Sequence, residues 1–541
     1  MWPHNYTPVG GSLWLSALVA ALPVFVLLFL LGVLRKPAWL ASLYGLGAAA
    51  VVALGVYGMH AGKLASAIGY GAAFGLFPIG WVVFTAILLY NITVETGKFQ
   101  IVKDSVGSLT EDRRLQALLI AFAFGAFIEG AAGFGTPVAV SAAMLTGLGF
   151  SPFYAAGICL LANTAPVAFG SIATPILTLA GITNLPLDRL SAGVGRICAP
   201  VSLIVPAYLV LVMGRWSALR GVLPAALICG IAFGGTQFLI SNFVGPQITD
   251  ILSSLAAIGS LVLLFKLWQP KDEFHFDEHS SAHVKPPHHS TRELLMAWGP
   301  YMLLVIFVLL WGVKPLQVKF NSLAYSFSWP GLHNTILRMP PVVAKPSPYA
   351  AVYTFNWLSA PGTACLFAAL CSALLLGMPV AQFFRVFLKT VKQLLLAELT
   401  IVAVLALAFL MNYSGATITM GLAFAATGAM FPFFSALLGW LGVFLTGSDT
   451  AANALFGNLQ VVTAGRLNMD AVLMAASNSA GGVMGKMISL QSIAVASAAT
   501  AMKASDEGRL FRFTMRHSIL LASLTGLIVV FYTYVAPQLA P

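Results

Sequence analysis

Four charged residues stand inside otherwise apolar sequence: Glu129, Glu398, Asp449 and Lys486. A charge at the centre of a membrane helix costs about 2.5–3.5 kcal/mol on insertion scales, so each should face a partner, a water-filled cavity or a substrate pathway. A carboxylate in such a place must be neutralised by a proton or a cation, which makes Glu129 and Asp449 candidates for proton coupling. Each belongs to a stretch of glycine and small polar residues, IEGAAGFGTP over 128–137 and TGSDT over 446–450. Lys486, in GGVMGK, could neutralise a substrate carboxylate or pair with Asp449; substrate contact is the preferred reading. Glu398 lies in a more regular apolar segment near Lys389 and Lys392, where a structural ion pair serves equally well.

Three of these four fall in matching places. Asn163 to Ile172 and Asn478 to Met487 share the pattern N-[ST]-A-x-x-x-[FM]-G, about 315 residues apart. About thirty residues upstream of each, Phe127 to Gly130 (FIEG) matches Phe444 to Gly447 (FLTG). Two matches in the same order indicate an internal duplication. Repeated halves with interrupted membrane segments are a mark of secondary transporters, whose site forms where broken helices meet near the membrane midplane. Glycine and proline free backbone groups there, which is tolerated only where protein or a water-filled cavity satisfies them. The positive end of a broken helix suits a small anion. Asn163, Thr164, Asn478 and Ser479 would add side-chain donors, and Thr136, Ser171 and Ser448 are candidate partners for a substrate hydroxyl. The alternative is that these residues glue helices together.

The elements that must hold them follow from composition. Only 8% of the 541 residues are charged, against about 25% in soluble domains, and 59% are hydrophobic. That excludes a soluble globular protein. A net charge of +11 would suggest nucleic acid in a soluble chain, but here the basic residues sit between apolar runs, where they orient spans. Runs near the roughly 20 residues a span needs predict an all-α polytopic membrane protein of about 12–14 transmembrane helices, in two repeated halves containing broken or re-entrant helices. The expected organisation is a first half over 1–268, a hydrophilic cytoplasmic loop over 269–293, and a second half over 294–541 with an extracytoplasmic loop at 314–361. Thr417 to Leu438 reads as one regular span.

Basic clusters at Arg35 and Lys36, Arg113 and Arg114, Arg215 and Arg220, Lys389 and Lys392, and Arg509 to Arg516 place both termini outside the cytoplasm if all face inward. No charged region precedes the first apolar run, so that run is expected to be retained rather than cleaved. His275, His279, His283, His288 and His289 crowd the first loop, but a mixed-charge tract reads as a solvated linker, and no metal is expected. Cys159, Cys198, Cys229, Cys365 and Cys371 show no CxxC spacing and read as small apolar residues.

With these residues in place a family resemblance becomes specific. The stretch from Glu111 to Pro137, EDRRLQALLIAFAFGAFIEGAAGFGTP, is similar to the hallmark of the L-lactate permease family, as is ANTAPVAFG from Ala162 to Gly170. In the second half TGSDTAANALFG, Thr446 to Gly457, and SNSAGGVMGK, Ser477 to Lys486, resemble it too. The resemblance runs over nearly the whole chain, with the His-rich loop and Leu332 to Ser347 outside the recognisable pattern. It implies proton symport of L-lactate, with D-lactate and glycolate as related substrates, across the bacterial inner membrane, and no cofactor beyond the proton. It further implies an elevator-type transport domain with re-entrant hairpins, whose tips Asn163-Thr164 and Ser477 to Ser479 resemble. On that reading Lys486 and the donors around Asn163 and Asn478 hold a carboxylate, while Glu129 or Asp449 carries the proton. A sodium-coupled carboxylate or dicarboxylate carrier of the same superfamily is the alternative. No HExxH, GxSxG or Cys/His pairing suggests an enzyme.

Overall fold

The computed structural model describes residues 1–133, 135–272 and 289–541. Among these, eleven helices are long and apolar enough to cross a membrane, or twelve if one bent pair counts as a span. The chain is a multi-pass helical membrane protein. His275, His279, His283 and His288 lie outside the described residues; His289 bonds Asp104 Oδ2 at 2.9 Å.

One stretch, Thr417 to Leu438, departs from the expected spans, and one long helix contains two of them. Helix Leu187–Phe243 has 57 residues, about 85 Å if straight and far more than a bilayer core of about 30 Å. Non-helical backbone at Gly214, Arg215 and Val222 folds it back on itself, with Ser191 Oγ donating to Ser241 O at 2.7 Å and Arg196 Nε to Asn242 Oδ1 at 2.8 Å. It therefore holds two antiparallel spans. Thr417 to Leu438 is not one regular span: Ala416–Phe424 and Phe431–Thr446 are separated around Gly428, whose φ of 56° and ψ of −133° interrupt the helix. The apolar composition continues through that break, so hydropathy does not register it.

The bundle has two distinct ends. At one, strand Trp2–Pro3 pairs with Ile336–Arg338, which pairs with Ser347–Pro348, and Tyr325–Ser328 pairs with Val352–Phe355. These five short strands were not expected from the sequence. The C-terminus lies at the same end, where Arg196 Nη1 donates to Leu539 O and Ala540 O. At the opposite end Arg114 Nη1 bonds Asp272 Oδ2 at 2.7 Å and Lys389 bonds Glu95 at 2.9 Å. The Arg114 guanidinium holds the Asp272 carboxyl below the usual carboxylate range, clamping the linker after Thr249–Leu267.

Two re-entrant hairpins meet between these ends. The first comprises Arg113–Ala131 and Thr136–Gly147; the Arg113 guanidinium donates to Leu148 O, so both arms end together on the linker side. The second comprises Phe431–Thr446 and Asp449–Arg466. Here Ser435 Oγ donates to Gln460 Oε1 at 2.7 Å and Gln460 Nε2 to Ser435 O at 3.1 Å, which closes the hairpin. Its open end lies at the termini, since Arg466 shares a cavity with Arg338. The hairpins enter from opposite ends, so the duplicated units are inverted. Each is followed by a broken span: Pro152–Ala162 with Gly170–Thr183, bent by 66° at its break, and Ala471–Lys486 with Leu490–Ala499. Both tips need left-handed backbone, at Gly135 (φ 81°) and Gly447 (φ 72°), where a side chain would be strained.

Close backbone packing fixes the second unit. A Cβ on Gly485 would overlap Trp440 O, and one on Gly481 would overlap Ala436 O. These are pairs one helical turn apart, the small-xxx-small arrangement by which membrane helices approach. Gly481→Val is expected to abolish recovery of monodisperse protein in detergent, because neither backbone can retreat. Gly259→Ala, whose new methyl meets nothing within 4 Å, should be recovered like the native protein. Equal recovery of both would disprove this packing.

Candidate functional site

The hairpin tips and span breaks enclose a cavity of about 140 Å³. Its polar wall includes Glu129 from the first tip, Ser171 and Thr174 from the first broken span, Thr446 to Thr450 from the second tip, and Lys486 with Gln491 from the second broken span. The apolar wall comes from Leu27, Leu31, Ile401 and Val404, on helices Leu13–Gly32 and Val380–Ser414. An engineered cavity of about 150 Å³ takes up benzene, with its six non-hydrogen atoms. The volume here suits a metabolite of that size.

Lys486 ends helix Ala471–Lys486, and its Nζ donates to Gly447 O at 2.6 Å. It is the one basic residue in the cavity wall among the described residues. It lies in the electrostatic field of both Glu129 and Asp449, yet no ion pair within 4 Å joins it to either. Asp449 opens helix Asp449–Arg466; its Oδ2 accepts from Ser479 Oγ at 2.5 Å and from Asn453 Nδ2 at 3.3 Å. Ser448 caps that helix by accepting from Ala451 N at 3.3 Å. The amides of Asp449 and Thr450, the first two of this helix, have no intrahelical partner, and both residues line the cavity. Glu129 is buried, and its Oε2 has no hydrogen-bond partner.

Ser171, Ile172 and Ala173 all have positive φ, 46°, 55° and 60°. Left-handed backbone costs non-glycine residues about 1–2 kcal/mol each, and such runs persist where surrounding structure enforces them, often at functional sites. Ser171 Oγ anchors this one to the first hairpin by donating to Ala132 O at 2.7 Å.

The cavity thus brings together Lys486, Glu129, Asp449, Ser171 and Ser448. Five other candidates lie elsewhere. Asn478 and Ser479 sit inside a continuous helix, not at its break, and support the site from behind: Asn478 Nδ2 donates to Asn453 Oδ1 at 2.9 Å and Gln460 Nε2 to Asn478 Oδ1 at 3.0 Å. Asn163 does stand at a break, buried and beside Glu129, although neither of its side-chain atoms meets hydrogen-bond geometry. Thr164 Oγ1 donates to Leu161 O at 2.8 Å, within its own turn. Thr136 begins the second arm of the first hairpin and does not line the cavity. The ion pair weighed as an alternative for Glu398 is not formed: Lys389 reaches Glu95 instead, and both Glu398 oxygens lie without partners beside Gly80.

One acid escaped the sequence reading. Asp250 is 1% exposed, neither carboxylate oxygen has a partner, and its Cβ packs where a Gly130 side chain would begin. It sits within the field of Glu129. The available signal was its place immediately before the apolar run from Ile251.

Comparison with known proteins gives the arrangement a family setting. The model of a family described as L-lactate permease matches residues 16–536. A glycolate permease of Escherichia coli K12 is 45% identical, with 99% of this chain and 98% of the relative covered. An L-lactate permease of Bacillus subtilis is 44% identical and one of Salmonella typhi 43%, each over the full length of both chains.

Proposed function

Since the chain belongs to the L-lactate permease family, we propose that it imports L-lactate, with D-lactate and glycolate as further substrates, by proton symport across the bacterial plasma membrane. The observation that carries this reading is Lys486, the single cation of a cavity that also holds two buried acids. Lactate has six non-hydrogen atoms, which suits the cavity volume. Its carboxylate takes the Lys486 ammonium and the first-turn amides of Asp449–Arg466, its hydroxyl takes Ser171 or Ser448, and its methyl lies on Leu27, Leu31 and Ile401.

Charge balance then explains coupling. An unpaired charge in a low-dielectric site costs several kcal/mol, and one ammonium cannot balance both a substrate carboxylate and the acids around it. Arrival of the anion therefore requires a proton on the wall. The two inverted hairpins and their broken spans would move as one elevator-like body, carrying the cavity between the ends of the bundle. Most basic clusters lie at the linker end, which the positive-inside tendency assigns to the cytoplasm, so both termini are extracytoplasmic. Gln491 is exposed in the cavity wall, which opens the site toward that cytoplasmic end.

A dicarboxylate would need a second cation, and the described cavity wall has none. The test is uptake of radiolabelled L-lactate into proteoliposomes. Accumulation should follow an imposed pH gradient, acid outside, collapse with a protonophore, and be unchanged when choline replaces sodium. Uptake that requires sodium and ignores the pH gradient would overturn the reading.

A further inference from the structure

We propose that the crevice between Arg338 and Arg466, at the termini end of the bundle, is a vestibule that captures the substrate carboxylate before it reaches the transport site. This rests on the import reading above. The crevice has a volume of about 520 Å³, and its wall includes Arg338, Arg466, Asn184, Asn458, Asn468 and Tyr349. No acid contributes to it among the described residues. Neither arginine forms an ion pair among them, and Arg338 Nε is buried without a hydrogen-bond partner. The Arg338 guanidinium lies over the Tyr349 ring, 5.3 Å from its centroid, which fixes its plane and leaves donors for a carboxylate. The acid nearest in sequence, Asp470, is engaged elsewhere, accepting from Leu473 N at 2.7 Å and facing Arg189 at 3.8 Å. Burial holds the neighbouring His4 imidazole down to about 4, so it is neutral at physiological pH and the charge of the crevice comes from the arginines.

Two uncompensated cations on low-dielectric walls focus field lines and raise the local concentration of anions. Thr183 and Asn184 line the crevice, while Ser171, at the other end of the same broken-span segment, lines the transport cavity. From Thr174, also in the cavity wall, to Thr183 the segment rises by nine residues of helix, about 14 Å. Between them Leu179 and Ile182 pack against Gly457, so a dry contact separates vestibule from cavity. An anion held in the vestibule is thus positioned for the outward-facing state without neutralising Lys486 in this one.

The test compares the double variant Arg338→Gln/Arg466→Gln with Arg338→Lys/Arg466→Lys, by initial rates of radiolabelled L-lactate uptake into right-side-out vesicles. At about 10 mM salt the glutamine pair should lower kcat/KM roughly three- to tenfold through KM, with kcat within about twofold of native. The deficit should vanish near 1 M salt, as the screening length shrinks from about 30 Å to 3 Å. The lysine pair should keep most of the native value. A native KM in the glutamine pair at low salt would overturn the proposal, as would a deficit that falls on kcat or survives 1 M salt. Failure of the native protein to take up lactate at all would instead overturn the import reading.

Discussion

Lys486→Gln is expected to lower kcat/KM for lactate about a hundredfold, while the protein still folds and reaches the membrane. Truncating one partner of a buried charge pair costs about 2–5 kcal/mol, and each 1.4 kcal/mol is a factor of ten, so even a mid-range loss gives two orders of magnitude. The substituted amide still reaches toward Gly447 O, the one hydrogen bond that the Lys486 side chain makes. Glu129 and Asp449 lose their cation but can be neutralised by protons, so folding survives the change. Two measurements separate a substrate role from a structural one. Monodispersity in detergent should match the native protein, and lactate should raise the melting temperature of the native protein but not of the variant. Uptake within about threefold of native would remove Lys486 from the substrate site.

The reason this lysine could be picked out from sequence also marks where sequence reasoning stops. The tips at Gly135 and Gly447 need left-handed backbone, so glycine must stand there; FLTG ends on Gly447 and registers that need directly, whereas Gly135 lies five residues beyond FIEG, whose own Gly130 is inside helix Gly125–Ala131. Glu129, Asp449, Ser171, Ser448 and Lys486 cluster near these breaks, and they meet in one cavity. The shared N-[ST]-A pattern is less informative, because Pro166 follows Asn163 and disrupts its helix, whereas the glycines after Asn478 let its helix run on to Lys486. Donor type is legible in sequence; the direction it faces is not. Lys389 pairs with Glu95, 294 residues away, which no local spacing near Glu398 reveals. Asp250 follows a turn-like GPQIT stretch and becomes buried only through packing on Gly130. Leu27, Leu31 and Ile401 were invisible as cavity wall, since an apolar residue facing substrate and one facing lipid read alike.

Glu129→Gln is expected to separate transport from proton coupling. When a substrate carboxylate takes the Lys486 ammonium, Asp449 keeps its donors from Ser479 and Asn453. Apart from the neutral Asn163 amide beside it, Glu129 has no further partner: its Oε2 is without a hydrogen bond, and the neighbouring Asp250, itself an acid, offers it no cation. Of the two proposed coupling acids, Glu129 is therefore the one left with an uncompensated charge, and the one that must take up the proton. Glutamine imitates its protonated form in shape and charge. In proteoliposomes Glu129→Gln should exchange internal for external lactate within about threefold of the native rate, a small effect on the scale where 1.4 kcal/mol is tenfold. The same vesicles should show no accumulation under an imposed pH gradient, and lactate KM should lose its dependence on external pH. Asp449→Asn should behave differently: weakening the contact to Ser479 loosens the second tip, so exchange slows, but the transport that remains is still driven by the pH gradient. Accumulation by Glu129→Gln, or loss of pH drive with native exchange in Asp449→Asn, would transfer the coupling role to Asp449.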